Sequence, residues 1–413
     1  MEKTPKSLRL QIGLFGRTNT GKSSVLNMLS GQDVSITSPR EGTTTDVVEK
    51  AMELLPVGPV LFLDTAGVAD ETQLHAEREK KRVAVFSRAD VAVFICDGVL
   101  TESDETLLNE LKERKLPLLC IINKCDLHTP SSEVREALSF YGDVLEISCR
   151  DTRAEQYRRR FVEALGRVVP EDFLASAALV GDLLPRAGHA VFIVPIDLQA
   201  PRGRLILPQV QAIRDILDSD CMVSVVKERE YPLLLAQLNK LPDLVVCDSQ
   251  VLHKMIADTP ASVPVTTFSI LFARFKGELL PFIEGIAAFS DLREDDAVLV
   301  AEACSHHAGP DDIGRVKIPR WIRQFHGFEC RFDVLSGRDY PDTLHEYRLV
   351  IHCGGCMLTS REMKNRMARA REAGVSLTNY GVLISFIQGG LKRVLSPFPL
   401  AQMVYEEKIE PLI

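Results

Sequence analysis

The sequence predicts an α/β protein of three domains, each built on a mainly parallel sheet. Short apolar runs alternate with amphipathic helical stretches along the whole 413 residues, the pattern of strands joined by helical crossovers. The alternation is interrupted near Val169-Pro-Glu-Asp172, restarts after a short helical stretch, and is broken again by a long helical stretch from Ile270. That gives segments 1–170, 171–270 and 271–413, each of ordinary domain size. In the first and third segments, loops rich in chemistry follow the apolar runs, where parallel sheets place their ligands.

Bulk properties narrow the function. The apolar fraction of 46% is that of a globular chain. A net charge of -8 argues against broad binding to nucleic acid or anionic membrane. No apolar run approaches the roughly 20 residues of a membrane span. The first ten residues, MEKTPKSLRL, lack the apolar core of a secretory signal. A cytoplasmic protein is therefore expected, in which the ten cysteines read as thiols or metal ligands and not as a disulfide framework.

The first segment opens on a strand from Leu8 to Leu14, followed by Gly16-Arg-Thr-Asn-Thr-Gly-Lys-Ser-Ser24 and an amphipathic helix from Lys22 to Leu29. This is G-x-x-x-x-G-K-[ST] in the strand–loop–helix setting that a phosphate loop requires. The glycines let the backbone N–H groups curl toward phosphates, and the helix N-terminus favours negative charge. Candidate nucleotide-binding residues here are Gly16, Asn19, Thr20, Gly21, Lys22, Ser23 and Ser24. Lys22 is expected to reach the β- and γ-phosphates, and the Ser23 hydroxyl to bind magnesium.

The base follows from a second loop. The buried strand Leu118 to Ile122 ends in Asn123-Lys-Cys-Asp126. A carboxylate there accepts from guanine N1–H and the 2-amino group, whereas adenine would leave it desolvated and unpaired. Asn123 is expected on the opposite guanine edge and Lys124 over the base. Ser148 and Cys149, after the strand Val144 to Ile147, fit the last base-contacting turn.

The strand Leu61 to Asp64 runs into Thr-Ala-Gly67. Asp64 is expected to hold magnesium through water, and the Gly67 N–H to meet the γ-phosphate. Gly42-Thr-Thr-Thr-Asp46 supplies a metal-binding threonine, read as Thr44 among the three. The catalytic set is then Lys22, Thr44, Asp64 and Gly67. A further strand, Val91 to Cys96, and helices near Glu77–Ser87, Glu102–Arg114, Ser132–Tyr141 and Arg153–Val168 complete a doubly wound sheet.

These boxes resemble the translation-factor-like GTPases, in the branch of tRNA-modifying and ribosome-assembly GTPases. In that branch the asparagine at the position of Asn19 helps hold a potassium ion, so the resemblance makes Asn19 a candidate potassium ligand. Val68 stands where Ras-type proteins carry a water-orienting glutamine. A valine cannot polarise water, and slow intrinsic hydrolysis is expected.

The middle segment reads as a small parallel sheet: strands at Ala190–Ile196, Met222–Val226, Leu244–Cys247 and Val265–Phe268, with helices at Leu207–Leu217, Tyr231–Leu238 and Val251–Ile256. It carries no acid–base or nucleophile constellation, which suits an interface. The third segment opens on a long helical stretch, Ile270 to Phe289. Strand Ala297–Ala301 then runs into Cys304-Ser-His306-His307, and a strand from Tyr347 runs into His352-Cys353-Gly-Gly-Cys356. Strands at Glu329–Val334 and Val375–Thr378 and helices at Asp311–Phe325, Ser360–Ala373 and Gly381–Gln388 fill in the pattern.

Two parallel strands each delivering cysteine and histidine at a carboxyl end form a candidate metal site. Zinc bound by three cysteines and one histidine satisfies the donors. So does a 4Fe-4S cluster held by Cys304, Cys353 and Cys356, whose remaining iron takes His352, His306 or an outside ligand.

C-x-H, then about 45 residues, then H-C-x-x-C, behind a GTPase domain and a middle α/β domain, resembles the FeFe-hydrogenase maturation GTPases along the whole chain. The resemblance implies a 4Fe-4S cluster and homodimerisation through the middle domain. It also implies exchange of a di-iron precursor with radical-SAM maturase enzymes and apo FeFe-hydrogenase. From the net charge and the lack of a long apolar run, no nucleic-acid or membrane partner is expected. The alternative is a GTPase of RNA modification or ribosome assembly with a structural zinc site.

Overall fold

The computed structural model describes residues 4–30, 47–64, 82–150, 153–170, 173, 178–195, 205–303, 312–337 and 340–412. The chain forms two compact units, 1–177 and 178–413.

Unit one holds a six-stranded sheet. Its strands are β1 (Leu10–Phe15), β2 (Val48–Leu54), β3 (Gly58–Asp64), β4 (Val91–Cys96), β5 (Leu118–Ile122) and β6 (Asp143–Glu146), in the order β2-β3-β1-β4-β5-β6. β1, β4 and β5 bury every residue, as continuous apolar runs do when helices cover both faces of a parallel sheet. The edge strand β2 pairs antiparallel with β3, from Val48 opposite Asp64 to Leu54 opposite Gly58. The sequence reading missed this strand. Its Val-Glu-Lys-Ala-Met-Glu-Leu run buries only Met52 and Leu54, so it carries little apolar signal. Leu14 lies beside Asp64 in the β1–β3 ladder, which brings Asp64 next to the start of the Gly16 loop.

Unit two contains two four-stranded parallel sheets. In chain order the strands are β7 (His189–Ile193), β8 (Met222–Val226), β9 (Leu244–Cys247), β10 (Val265–Thr267), β11 (Ala297–Ala301), β12 (Arg331–Leu335), β13 (Leu349–His352) and β14 (Ser376–Asn379). The sheets run β10-β9-β7-β8 and β12-β11-β13-β14, and one apolar cluster, from Leu179 to Ile409, packs both. The boundary read at residue 270 falls inside this unit, on helix Phe268–Lys276.

Three local differences from the sequence reading have physical causes. β10 stops at Thr267 because that residue caps the next helix, its Oγ1 accepting from Ile270 N at 3.2 Å. The long helical stretch is two helices, Phe268–Lys276 and Leu279–Ser290. Ser360 Oγ donates to the Lys276 carbonyl at the break, at 3.0 Å. The helix expected from Asp311 starts at Ile313 with a π-turn to Lys317. There the Asp312 carboxylate accepts from Arg315 N at 2.8 Å.

The register sets the second site. Ala301 lies opposite both Leu335 and His352, and His352 lies opposite Asn379. Four strand ends therefore line up on one edge, and the chain leaves that edge at Glu302, Ser336, Cys353 and Tyr380.

Candidate functional site

A cleft of about 520 Å³ in unit one is lined by Thr18, Asn19, Gly21, Lys22, Ser23 and Ser24 on one side. Asn123, Lys124, Asp126, Leu127, Cys149 and Arg150 line the other. The two loops identified in the sequence thus face one another, with Asp64 buried nearby. Thr44 and Gly67 lie outside the described residues.

The phosphate loop is held by its own atoms. Gly16 and Gly21 have φ of +130° and +96°, a region disfavoured for L side chains. A Cβ on Gly16 would stand 2.1 Å from the Ile95 carbonyl oxygen, and one on Gly21 2.1 Å from Asn123 Nδ2. Asn19 adopts φ 65°, which asparagine tolerates better than most residues. Thr20 is buried and its Oγ1 donates to the Arg17 carbonyl at 3.0 Å, so its side chain braces the turn. Lys22 Nζ donates to the Gly16 and Arg17 carbonyls at 2.7 and 2.6 Å. Burial lowers its pKa, and Asp64 and Asp104 oppose that.

Arg17 ties this loop to the base loop. Its Nε donates to Asp104 at 2.8 Å, and Nη2 to Asp97 at 3.2 Å. Lys124 Nζ reaches the other oxygen of Asp97 at 3.4 Å. Sequence reasoning missed this link, although Asp97 stands directly after β4, at a strand end like the other site residues.

The base loop carries protein bonds beyond the contacts expected from sequence. Asp126 accepts from Ser148 Oγ at 2.6 Å, so Ser148 orients the carboxylate. Asn123 is buried, and both ends of its amide have protein partners. Nδ2 donates to the Thr20 carbonyl at 2.9 Å, and Oδ1 accepts from Cys149 Sγ at 3.4 Å. Asn123 therefore also braces the two loops, a role the sequence reading did not give it, and one Nδ2 hydrogen and one Oδ1 lone pair remain for the guanine edge. Burial, then Asp126, pushes the Cys149 thiol up to about 11, which keeps the S–H needed for that bond.

The second site lies on the strand-end edge of unit two. Cys353 Sγ accepts from Ala303 N at 3.0 Å and from Gly355 N at 3.5 Å. The Ala303 bond ties the last described residue before Cys304 to Cys353. Cys304 and His306 themselves lie outside the described residues, and among the described residues no three metal-binding side chains converge. The donors still suit an anionic metal–sulfur group. A cysteine sulfur that receives backbone N–H bonds is stabilised as a thiolate, and Cys356 lies in the same loop. Cys330 precedes β12, at the opposite edge, with Sγ toward the Arg293 carbonyl at 3.8 Å.

His352, read from sequence as a candidate ligand, is fully buried with both ring nitrogens engaged. Nδ1 is 2.9 Å from the Cys353 carbonyl, and Nε2 is 3.1 Å from Arg366 Nη1. Burial and the Arg366 charge push its pKa down to about 3, so the ring is neutral. As described, it offers no nitrogen to a metal. Next to Cys353 sits a buried polar group that the sequence reading also missed. Glu302 accepts from Ser336 Oγ at 3.1 Å and from the Tyr380 hydroxyl at 3.4 Å, with Arg315 Nε at 3.7 Å.

Three family models match the chain. Residues 11–124 match the 50S ribosome-binding GTPase, 179–277 the hydrogen maturase F dimerization domain, and 280–397 the hydrogen maturase F tetramerization domain. The tRNA modification GTPase MnmE of Leptospira interrogans is 38% identical over 148 residues, 34% of this chain and 31% of that protein. GTPase Era of Cronobacter sakazakii is 33% identical over 179 residues, 40% of this chain and 58% of that one. The chain thus spans about a third of the first relative's length and little over half of the second's. Among solved structures, Aquifex aeolicus Era aligns at 19% identity and a TM-score of 0.30, covering 55% of this chain and 98% of that one. No described helix is long and apolar enough to cross a membrane.

Proposed function

The chain belongs to the HydF-type hydrogenase maturation GTPases, with a TrmE/Era-like G domain, and from that premise we propose that it is a GTP-hydrolysing scaffold for metallocluster assembly. The cleft between the phosphate and base loops takes GTP. Lys22 meets the β- and γ-phosphates, Asp126 reads the guanine, and Ser23 with Thr44 holds magnesium. In the second unit Cys304, Cys353 and Cys356 hold a 4Fe-4S cluster, with His306 or an outside ligand for the remaining iron. Such a cluster supplies an iron with an exchangeable coordination position. The protein's part is to present that position: Ala303 and Gly355 direct N–H groups at Cys353. The observation that carries the reading is the Ala303 bond to Cys353, since it joins two loops separated by some fifty residues at one edge.

On this reading GTP hydrolysis regulates partner association, and a di-iron precursor passes from radical-SAM enzymes through this chain to apo FeFe-hydrogenase. The matched dimerization and tetramerization domains support self-association. The test is anaerobic reconstitution with iron and sulfide. About four irons per chain are expected, with a reduced-state EPR signal that shifts when imidazole is added. Stoichiometric zinc without iron would overturn the scaffold reading in favour of a structural site.

Asn19 lines the cleft at its left-handed turn, which supports its role as a potassium ligand. GTP turnover should be faster in potassium than in sodium, and Asn19→Ala should abolish the difference. Equal wild-type rates in the two salts would remove potassium and leave GTP hydrolysis standing.

A further inference from the structure

Arg366 lies on helix Ser360–Glu372, only 4% exposed. Its guanidinium joins three parts of the third sheet's edge. Nη1 meets His352 Nε2 at 3.1 Å, and Nη2 donates to the Gly337 carbonyl at 2.9 Å, just beyond β12. Glu362, one turn earlier, pairs with it at 3.5 Å. The Tyr340 ring lies beneath it, 5.1 Å from centroid to guanidinium carbon, within range of a cation–π contact.

The protons in this chain of contacts are fixed by chemistry. A guanidinium only donates, so His352 Nε2 accepts. Nδ1 then carries the ring hydrogen and donates to the Cys353 carbonyl at 2.9 Å. That carbonyl belongs to the peptide between Cys353 and Gly354. Its orientation sets where the loop turns, and therefore how the Gly355 N–H meets the Cys353 sulfur. The relay runs from a helix through a buried ring to the backbone of the cysteine loop.

We infer that Arg366 is a positioning residue for the Cys353–Cys356 loop, acting through His352, and that His352 is a strut in that relay and not a metal ligand. The inference rests on the proposed cluster site for its consequence, since a loop preset by Arg366 holds metal without first paying the entropy of ordering. It rests on the geometry alone for its mechanism. Removing a group that hydrogen-bonds a metal ligand typically weakens binding by roughly 10–100-fold, and Arg366, which acts through His352, is expected at the lower end of that range.

The experiment has a metal-free arm and a loaded arm. In the metal-free chain, Arg366→Met keeps much of the bulk and removes every donor. The expected result is several-fold faster alkylation of Cys353 and Cys356, followed by mass spectrometry, at an unchanged GTP hydrolysis rate. In the loaded chain, loss of iron to a chelator should be about 10-fold faster or more. Arg366→Lys, which keeps the charge and a donor, should recover most of both effects and guards against a variant that misfolds. His352→Phe should act in the same direction. The double variant Arg366→Met with His352→Phe should be no worse than either alone, because residues in one relay are not additive.

Unchanged alkylation in Arg366→Met, or additive effects in the double variant, would overturn the relay. A histidine nitrogen coupling in the pulsed EPR spectrum of the wild-type cluster without added imidazole, lost in His352→Phe, would overturn the strut assignment. If the wild-type chain takes up no iron, the cluster reading fails, and the alkylation arm still decides the role of Arg366.

Discussion

Asp126→Asn should lower GTP affinity by about a thousandfold or more and turn the preference toward xanthosine nucleotides. Asp126 lines the cleft and is anchored by Ser148 Oγ at 2.6 Å. A carboxylate is acceptor-only, so it pairs with the two adjacent donors of guanine, N1–H and the 2-amino group. The asparagine amide turns one of those acceptors into a donor facing the 2-amino group. Two donors are then buried against each other, and sites built to hydrogen-bond a group discriminate by about 10⁴–10⁵ when the pairing is lost. Xanthine carries a carbonyl at that position, so the same asparagine pairs with both groups. Nucleotide titrations with GTP, XTP and ATP measure the change. GTP affinity within threefold of wild type, on the order of 0.7 kcal/mol, would refute the assignment of Asp126 as the base-reading residue. Ser148→Ala, which removes the orienting hydroxyl and leaves both oxygens, should have a much smaller effect.

Which parts of this architecture could be read from sequence follows from how local their causes are. The loop Gly16–Ser24 and the base loop Asn123–Asp126 each follow a continuous apolar strand, and each motif occupies the strand end its chemistry needs. That β11 and β13 end side by side was legible for the same reason, since parallel strands in one sheet end on one edge. β2 was not legible, because an edge strand exposed on one side leaves few apolar residues in phase. The bracing bonds of Asn123 and His352 were not legible either. Each residue type fits a ligand contact, and only the third dimension brings Thr20 and Cys149 to one, or Arg366 and the Cys353 carbonyl to the other. Arg366 itself stands among Arg361, Arg369 and Arg371 on a helix that reads as a solvated basic face. Its burial arises from Tyr340, Glu362 and His352, two of which lie far away in sequence.

Cys353→Ser should abolish cluster binding and leave GTP hydrolysis within about twofold of wild type. Iron–sulfur clusters are held by thiolates. A serine hydroxyl ionises far less readily, and its oxygen is a harder donor, ill matched to iron that bridges sulfides. The loss is compounded by what surrounds the sulfur. Ala303 N and Gly355 N both converge on it, and with a shorter side chain their hydrogen bonds no longer meet a ligand at the position the loop presets. Hydrolysis is expected to persist because the residues lining the nucleotide cleft all belong to the unit of residues 1–177, whereas Cys353 belongs to that of 178–413. Iron and sulfide content, the reduced-state EPR signal and GTP turnover are measured on one reconstituted sample. Cys330→Ser serves as the control, since that thiol lies at the opposite edge of the sheet and should retain full iron. Parallel loss of iron and GTP turnover in Cys353→Ser would show that the two sites do not function separately. Full iron in Cys353→Ser would move the cluster away from this loop altogether.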